Sequence, residues 1–445
     1  MKQDVALRIL CSGENVFLTG SAGTGKTYVI NKYIKYLKER GVRPAIVAPT
    51  GIAASHIGGK TIHSFFSIGI REYIEDGYLN WLVRQKFLQA RFRNLKILII
   101  DEISMASPEL FFAMDKILRA FKQSNEPFGG IQVIFSGDFF QLPPIAKEKK
   151  EIKFVWQTDL WKMMKLKVCY LDEKFRQDDI ELVNILDEIR AGEVSEDSME
   201  VFRSCYRKKL SNNFRPTRLY THNVDVDRIN DDELGKLSGA PRAFEAITKG
   251  SKQNLEKIFK GSLVSKNISF KKNAMVIFIK NNYEKGYING TLGKVVAFEK
   301  KTNSPVVEIF SGGEVTVERE EWFLEDDKGK IKAVVEQIPL KLAWALTIHK
   351  SQGMTLDAAE IDLSKTFEIG QGYVALSRIK SVEGLRLMGL NEIALKVDEQ
   401  VLEIDEEMKR LSGENAEKFA DLSEREAEKR ARNFIKKISR KAGNH

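Results

Sequence analysis

The sequence predicts an α/β fold of two parallel-sheet domains, the second interrupted by a small all-β insertion. Three observations lead there. Short apolar runs alternate with helical periodicity over the first 150 residues, and the signals repeat more weakly at 166–171, 217–221, Ala359–Leu363 and Leu385–Leu390. Between the second and third of these lie short strand-like runs separated by turn chemistry. Strand–helix alternation means parallel strands, because parallel neighbours cannot be joined by tight turns and need crossover connections.

The elements follow in order. NVFLT at 15–19 is an apolar run ending at glycine and reads as a buried strand. Behind it Val29, Ile30, Tyr33, Ile34 and Leu37 recur at helical spacing, and Gly41 marks the stop. Further strands are expected at 44–48, at Ile97–Ile100 and at 131–135. Leu110, Phe111, Met114, Ile117, Leu118 and Phe121 form a helical face between the last two. A second parallel sheet is expected from 166–171, 217–221, Ala359–Leu363 and Leu385–Leu390. Within its span, 274–280, 286–298, 305–310, 314–318 and 332–338 are strand-like, divided by Asn289-Gly290, Ser311-Gly312-Gly313 and Asp326-Asp327-Lys328-Gly329. Short strands with such turns predict a small β-barrel.

The end of the chain is charge-segregated: residues 398–428 carry a net −8 and 429–441 a net +7. Phe419, Leu422, Ala427, Ala431, Phe434 and Ile438 approximate one apolar helical face. A helix packed back on the body, or a mobile tail, is expected ahead of a basic end that touches nucleic acid.

Composition sets the limits. With 43% hydrophobic and 30% charged residues among 445, and only 10 Pro, the chain is globular rather than disordered or fibrous. No apolar run approaches the length of a bilayer span, and the start of the sequence (Lys2, Asp4, Arg8) carries no secretory signal. Cys11, Cys169 and Cys205 lie far apart and the five histidines show no ligand spacing, which disfavours disulfide, zinc and iron–sulfur frameworks. A soluble, reduced, intracellular protein without a membrane partner is expected, placed in a bacterial cytoplasm, or in the nucleus or mitochondrion if the source is eukaryotic. The net charge of +9 is compatible with a polyanionic partner without identifying one.

Motifs are more specific. Gly20-Ser21-Ala22-Gly23-Thr24-Gly25-Lys26-Thr27 fits the phosphate-loop pattern between a strand and a helix. Gly20, Gly23 and Gly25 let backbone N–H groups around Thr24 turn toward phosphate oxygens, and the positive end of the following helix points at the same charge. Lys26 reaches the β- and γ-phosphates, and Thr27 offers a hydroxyl to Mg²⁺. The strand Ile97–Ile100 ends in Asp101-Glu102, placing Asp101 to hold Mg²⁺ and Glu102 to orient and deprotonate the attacking water. Ser136-Gly137-Asp138-Phe139-Phe140-Gln141-Leu142-Pro143-Pro144 stiffens a third strand end and suits Gln141 to sensing the γ-phosphate. ATP with Mg²⁺ is the expected ligand pair.

Eight stretches now stand in one order: GSAGTGKT (20–27), APTGIAASHIGGKTIHSFF (48–66), DEISM (101–105), FGGIQVIFSGDFFQLPP (128–144), LDEKFRQ (171–177), RLYTHNVDVDRIN (218–230), ALTIHKSQGMTLD (345–357) and GQGYVALSR (370–378). Together they make the chain resemble superfamily-one helicases, and within them the petite-integration-frequency (PIF) family of the RecD-like subgroup. The resemblance implies two RecA-like domains, at 1–63 with 79–165 and at 166–235 with 339–394. It further implies a small wedge at 64–78 and an SH3-like barrel at 236–338, and the charge-segregated residues 395–445 make a charged helical extension.

By the same resemblance Arg176 and Arg378 are arginine fingers for the γ-phosphate, where planar, permanently charged guanidinium suits spread phosphoryl charge. Gln3 has the spacing of the adenine-reading glutamine, although Met1 and Lys2 replace the residues that usually precede it. Thr50, Thr61, His63, Asn223, His349, Lys350 and Ser351 are implied contacts to single-stranded DNA, and Phe65 and Phe66 stacking or wedge residues; a core place for either ring, and a structural role for His63 and His349, are the alternatives. The implied activity is ATP-dependent 5′→3′ translocation on single-stranded DNA by a monomer, unwinding duplex, forked or structured DNA. RNA–DNA hybrids remain open as substrates. A RecD-like motor subunit of a larger complex, and a non-unwinding ATP-switched single-strand binder, are the alternatives.

Overall fold

The structure, a computed structural model, describes residues 1–69, 71, 73–144, 153–173, 179–210, 216–221, 226–282, 284–287, 289–310, 312–325, 331–420 and 422–439. It comprises two units, Met1–Arg176 with Glu399–His445, and Gln177–Asp398.

In the first unit, the described residues form one parallel sheet of six strands: β1 (Val16–Gly20), β2 (Ala45–Ala48), β3 (Lys60–Thr61), β4 (Ile97–Ile100), β5 (Gln132–Ser136) and β6 (Lys167–Leu171). Their spatial order is β3-β2-β4-β5-β1-β6. β1, β4 and β5 are buried along their whole length, which is why they read as unbroken apolar runs and not as alternating ones. Each aliphatic side chain so buried contributes about 1.5–3 kcal/mol relative to exposure. Helices α1 (Gln3–Cys11) and α2 (Lys26–Lys38) share one core with β1, β4 and β5. The five periodic positions of α2 are the five it buries.

The strand expected to open the second sheet belongs to the first. β6 pairs parallel with β1, from Val16 opposite Lys167 to Gly20 opposite Leu171, so the first sheet extends past residue 165. Apolar character makes a strand but does not specify its partner, which is set by packing across the sheet.

Helix Glu399–Ala420 runs beside β6: the Tyr170 N–H donates to Ser412 Oγ at 2.9 Å, and Asn415 Nδ2 donates to the Val168 carbonyl at 3.2 Å. These side chains cover strand groups that an open edge would leave to aggregation. The single apolar face expected near the end is instead two helices. Ser423 and Glu426 cap each other reciprocally and start the helix Glu424–Ser439. Phe434 lies on Gly13, where a Cβ would sit 2.3 Å from the ring and φ is +88°, so only glycine admits this contact. The extension packs back on the body, as its apolar residues require.

In the second unit, the described strands Ala345–Thr347, Thr217–Tyr220, Ala359–Leu363 and Leu385–Leu390 form a four-stranded parallel sheet in that order. Ala345–Thr347, three residues long, is too short to show periodicity and was not expected. The insertion between them is antiparallel. Glu314–Thr316, Pro305–Ile309, Leu292–Phe298, Met275–Phe278 and Leu340–Leu342 make five described strands over a core that includes Phe270, Phe278, Tyr287, Val295 and Trp344. Ile247–Gly250, Ile331–Gln337 and Glu320–Glu325 make three more, beside a helix at Lys252–Gly261. This arrangement is consistent with the expected small β domain. Among the described residues, no helix is long and apolar enough to cross a membrane.

Candidate nucleotide site and nucleic-acid contacts

Three loops leave the carboxyl edge of the first sheet, after β1, β4 and β5, where ligands bind in open parallel sheets. The loop after β1 is tightly built. Gly20 has φ +141°, and a Cβ there would meet the Leu171 carbonyl at 2.5 Å. Gly25 caps α2 in a left-handed conformation with φ +84°. Thr24 is fully buried and donates to the Ser21 carbonyl at 2.9 Å. Lys26 Nζ donates to the carbonyls of Gly20 at 2.8 Å and Ser21 at 3.1 Å, which holds the cation over the loop's mouth. Thr27 is exposed at the start of α2. From α1, Gln3 Nε2 donates to the Thr24 carbonyl at 3.1 Å, tying the adenine-reading candidate to the phosphate loop.

After β4, the Asp101 N–H donates to the Val47 carbonyl at 2.9 Å and fixes the carboxylate at the sheet edge. Burial pushes the Asp101 carboxyl above its ordinary value, opposed by the Ser136 hydroxyl, the Glu102 backbone and the charge of Lys26. Glu102 stands at φ 52°, ψ 45°. A left-handed conformation at a residue other than glycine costs about 1–3 kcal/mol and persists only where its surroundings hold it. After β5, Gln141 is buried, its Nε2 donating to Asp138 Oδ2 at 3.3 Å, while Asp138 Oδ1 also accepts from the Phe140 N–H at 3.2 Å. Asp138 therefore aims the glutamine. Its signal was a carboxylate set inside an otherwise apolar stretch. The Ser104 hydroxyl is buried in this same region without a hydrogen-bond partner among the described residues.

The implied DNA contacts divide into four groups. Thr50 Oγ1 accepts from the Ala53 N–H and Thr61 Oγ1 from the Ser64 N–H, both at 3.2 Å, so each threonine caps a helix start while remaining partly exposed. His63 and His349 are partly exposed, and burial lowers the pKa of each imidazole. His349 Nε2 lies 3.8 Å from Glu368, whose carboxyl burial raises. Two expectations are corrected. Phe65 is 6% exposed and packs edge-on against Phe66 and Phe92, so its ring belongs to the core and is closed to bases. Ser351 is fully buried with Oγ donating to the Ile348 carbonyl at 2.8 Å, a helix-internal bond that leaves it no phosphate to meet. Asn223, Arg176 and the Lys350 side chain lie outside the described residues. Arg378 is 2% exposed, with Nε donating to the Val374 carbonyl at 2.9 Å and Nη2 to Ser377 Oγ at 2.7 Å.

A profile of the PIF1-like helicase family matches residues 4–199. The ATP-dependent DNA helicase Pif1 of Psychrobacter sp. is 42% identical over 481 residues, covering 95% of this chain and 73% of that one. The chain belongs to the PIF1-like helicase family. Bacteroides sp Pif1 in complex with ADP-AlF4 is 32% identical with a TM-score of 0.77, covering 92% of this chain and 96% of that chain. Pif1 helicase from Bacteroides in complex with ADP-AlF3 and ssDNA is 33% identical with a TM-score of 0.61, covering 93% and 97%. The chain spans slightly less than two thirds of the length of its vertebrate relatives.

Membership in the PIF1-like family agrees with the two parallel-sheet domains and with a nucleotide site at the first sheet's carboxyl edge. The left-handed Glu102 is a strained position that sequence periodicity has no means of revealing.

Proposed function

We propose that the protein is an ATP-dependent DNA helicase that moves 5′→3′ along single-stranded DNA and separates duplex, forked or structured DNA. The observation that carries this reading is the convergence of Lys26, Asp101, Glu102 and Gln141 on one sheet edge, in a chain of the PIF1-like family. In this reading Lys26 and the loop N–H groups bind the β- and γ-phosphates, and Gln141 reads the γ-phosphate. Glu102 takes a proton from the attacking water. Arg176 and Arg378 remain the candidate fingers on their motif positions, and Gln3 the candidate for the adenine edge. Thr50, Thr61, His63, Asn223, His349 and Lys350 remain the candidate strand contacts, with the protein working as a monomer.

Mg²⁺ fits the donors present. Thr27 and Asp101 offer only oxygen, the choice of a hard cation. Among the described residues no three His, Cys, Asp or Glu side chains cluster into a cage, as suits an ion that completes its shell with water and phosphate. When bound, it supplies charge neutralisation at the phosphate oxygens. Only ionised Asp101 can hold the ion, and its pKa is raised by burial. Mg²⁺-nucleotide affinity is therefore expected to fall on acidification at a pH above the ordinary carboxylate range. Asp101→Asn should bind weakly at every pH and lose that dependence. A wild-type affinity that stays flat down to the ordinary carboxylate range would remove Asp101 from this role.

Strand separation on tailed duplexes tests the function. Unwinding is expected from a 5′ tail with ATP turnover stimulated by single strands. Unwinding only from a 3′ tail would reverse the direction, and the absence of any stimulation by single strands would remove the motor itself.

A further inference from the structure

Between β3 and β4, helices Asp76–Arg84 and Lys86–Arg93 carry aromatic side chains that packing does not account for. Leu82, Leu88 and Phe92 face inward, as amphipathic helices require. Trp81 and Phe87 do not: they are 50% and 52% exposed, and Tyr73, before the first of these helices, is 68% exposed. Single exposed aromatics are ordinary on a protein surface. Here one of them ends an ordered stack.

The stack begins at Arg71, whose guanidinium lies 3.8 Å over the ring centroid of Tyr78. The Tyr78 hydroxyl donates to the Ser67 carbonyl at 2.7 Å, which fixes the ring in place. Trp81, one helical turn further on, lies 5.3 Å from Tyr78 with 18° between the planes. Tyr78 is thereby covered by a cation and an indole, and the half-exposed indole is the open end of the stack. Glu75 and Asp76 open this helix, with Asp76 Oδ1 accepting from Lys116 Nζ at 2.7 Å, and the chain after them is cationic. From 77 to 100 the sequence holds Arg84, Lys86, Arg91, Arg93 and Lys96 and no carboxylate. Arg84 and Lys86 are exposed, and Arg84 follows Trp81 by one turn of the same helix. An open aromatic face within a positive surface suits single-stranded nucleic acid, because every base has a π-face and phosphates seek cations.

We propose that Trp81 is a base-stacking residue, taking one unpaired nucleobase of a DNA strand on its outer face while Arg84 and Lys86 meet the neighbouring phosphates. The proposal rests on the DNA-helicase reading and deepens it. It moves the aromatic contact from Phe65, which is in the core, to a residue 16 positions later. Tyr78 and Arg71 act as positioning residues, since they hold the indole plane and reach no base themselves.

Equilibrium binding of fluorescent oligonucleotides to the full chain tests this, using a normal strand and an all-abasic strand of equal length. Trp81→Ala is expected to weaken binding of the normal strand about five- to a hundredfold, the range of a lost base stack. Trp81→Phe should recover most of that loss, which a merely misfolded variant would not explain. On the abasic strand, wild type and Trp81→Ala should bind alike. Equal binding of the normal strand by wild type and Trp81→Ala would overturn the proposal and leave the helicase reading standing. A loss as large on the abasic strand would also overturn it, by showing that phosphate contact or local folding is at stake. If the wild-type chain binds neither strand at low salt, the helicase reading falls together with this one.

Discussion

Lys26→Ala is expected to lower ATP turnover at least about 10²–10³-fold at saturating single-stranded DNA, the usual loss when one group stabilising transition-state charge is removed. Two effects act together. Phosphoryl transfer is catalysed almost wholly by positioning and electrostatics, so a missing cation over the loop has no chemical substitute. Lys26 is also a source of positive charge that helps keep buried Asp101 ionised. Without it, burial pushes the Asp101 carboxyl further up and weakens the proposed Mg²⁺ ligand as well. Lys26→Arg should fail too, although it preserves the charge, because the loop holds the compact ammonium at 2.8 and 3.1 Å from two carbonyls and a guanidinium fork is wider and planar. Steady-state turnover and titration with a fluorescent ATP analogue separate the two losses. Turnover within about tenfold of wild type for Lys26→Ala would be too small an effect for a phosphate-binding cation.

Much of the first sheet was readable because buried parallel strands are continuous apolar runs and buried helices repeat at 3.6 residues. Val29, Ile30, Tyr33, Ile34 and Leu37 show this directly: the residues chosen by spacing are those the helix buries. The phosphate loop was equally readable, since its chemistry is written in consecutive residues. What failed was non-local. β6 has the sequence of a strand in either sheet, and only its register with β1 assigns it to the first. Phe65 and Ser351 sat in the right motifs, yet whether an aromatic or hydroxyl faces solvent depends on neighbours distant in sequence, such as Phe92 for Phe65. Thr50 and Thr61 illustrate a different limit. A hydroxyl before a helix is an N-cap by local preference and a phosphate contact by motif, and sequence alone does not separate the two. The break before Glu424 was legible in principle, because Ser423 and Glu426 spell a capping box.

Glu102→Gln is expected to lower ATP hydrolysis about 10²–10⁴-fold, the usual share of a general base, while leaving nucleotide binding near wild type. Glutamine keeps the shape and a hydrogen-bonding oxygen but cannot accept the proton. The backbone gives this prediction a second arm. Glu102 holds φ 52° where glycine would be at ease, and the turn it starts is closed by the Met105 N–H donating to its carbonyl at 3.1 Å. Relieving such strain stabilises a fold by about 1 kcal/mol, through the same backbone freedom that favours glycine in left-handed turns. Glu102→Gly should therefore melt at an equal or higher temperature than wild type while hydrolysing no ATP, and Glu102→Gln should melt near wild type. Strain retained at a position whose removal costs activity and not stability is the signature of a residue kept for chemistry. A Glu102→Gln variant that hydrolyses ATP at the wild-type rate would assign the base elsewhere. A Glu102→Gly variant that unfolds several degrees earlier would show instead that this carboxylate serves the fold.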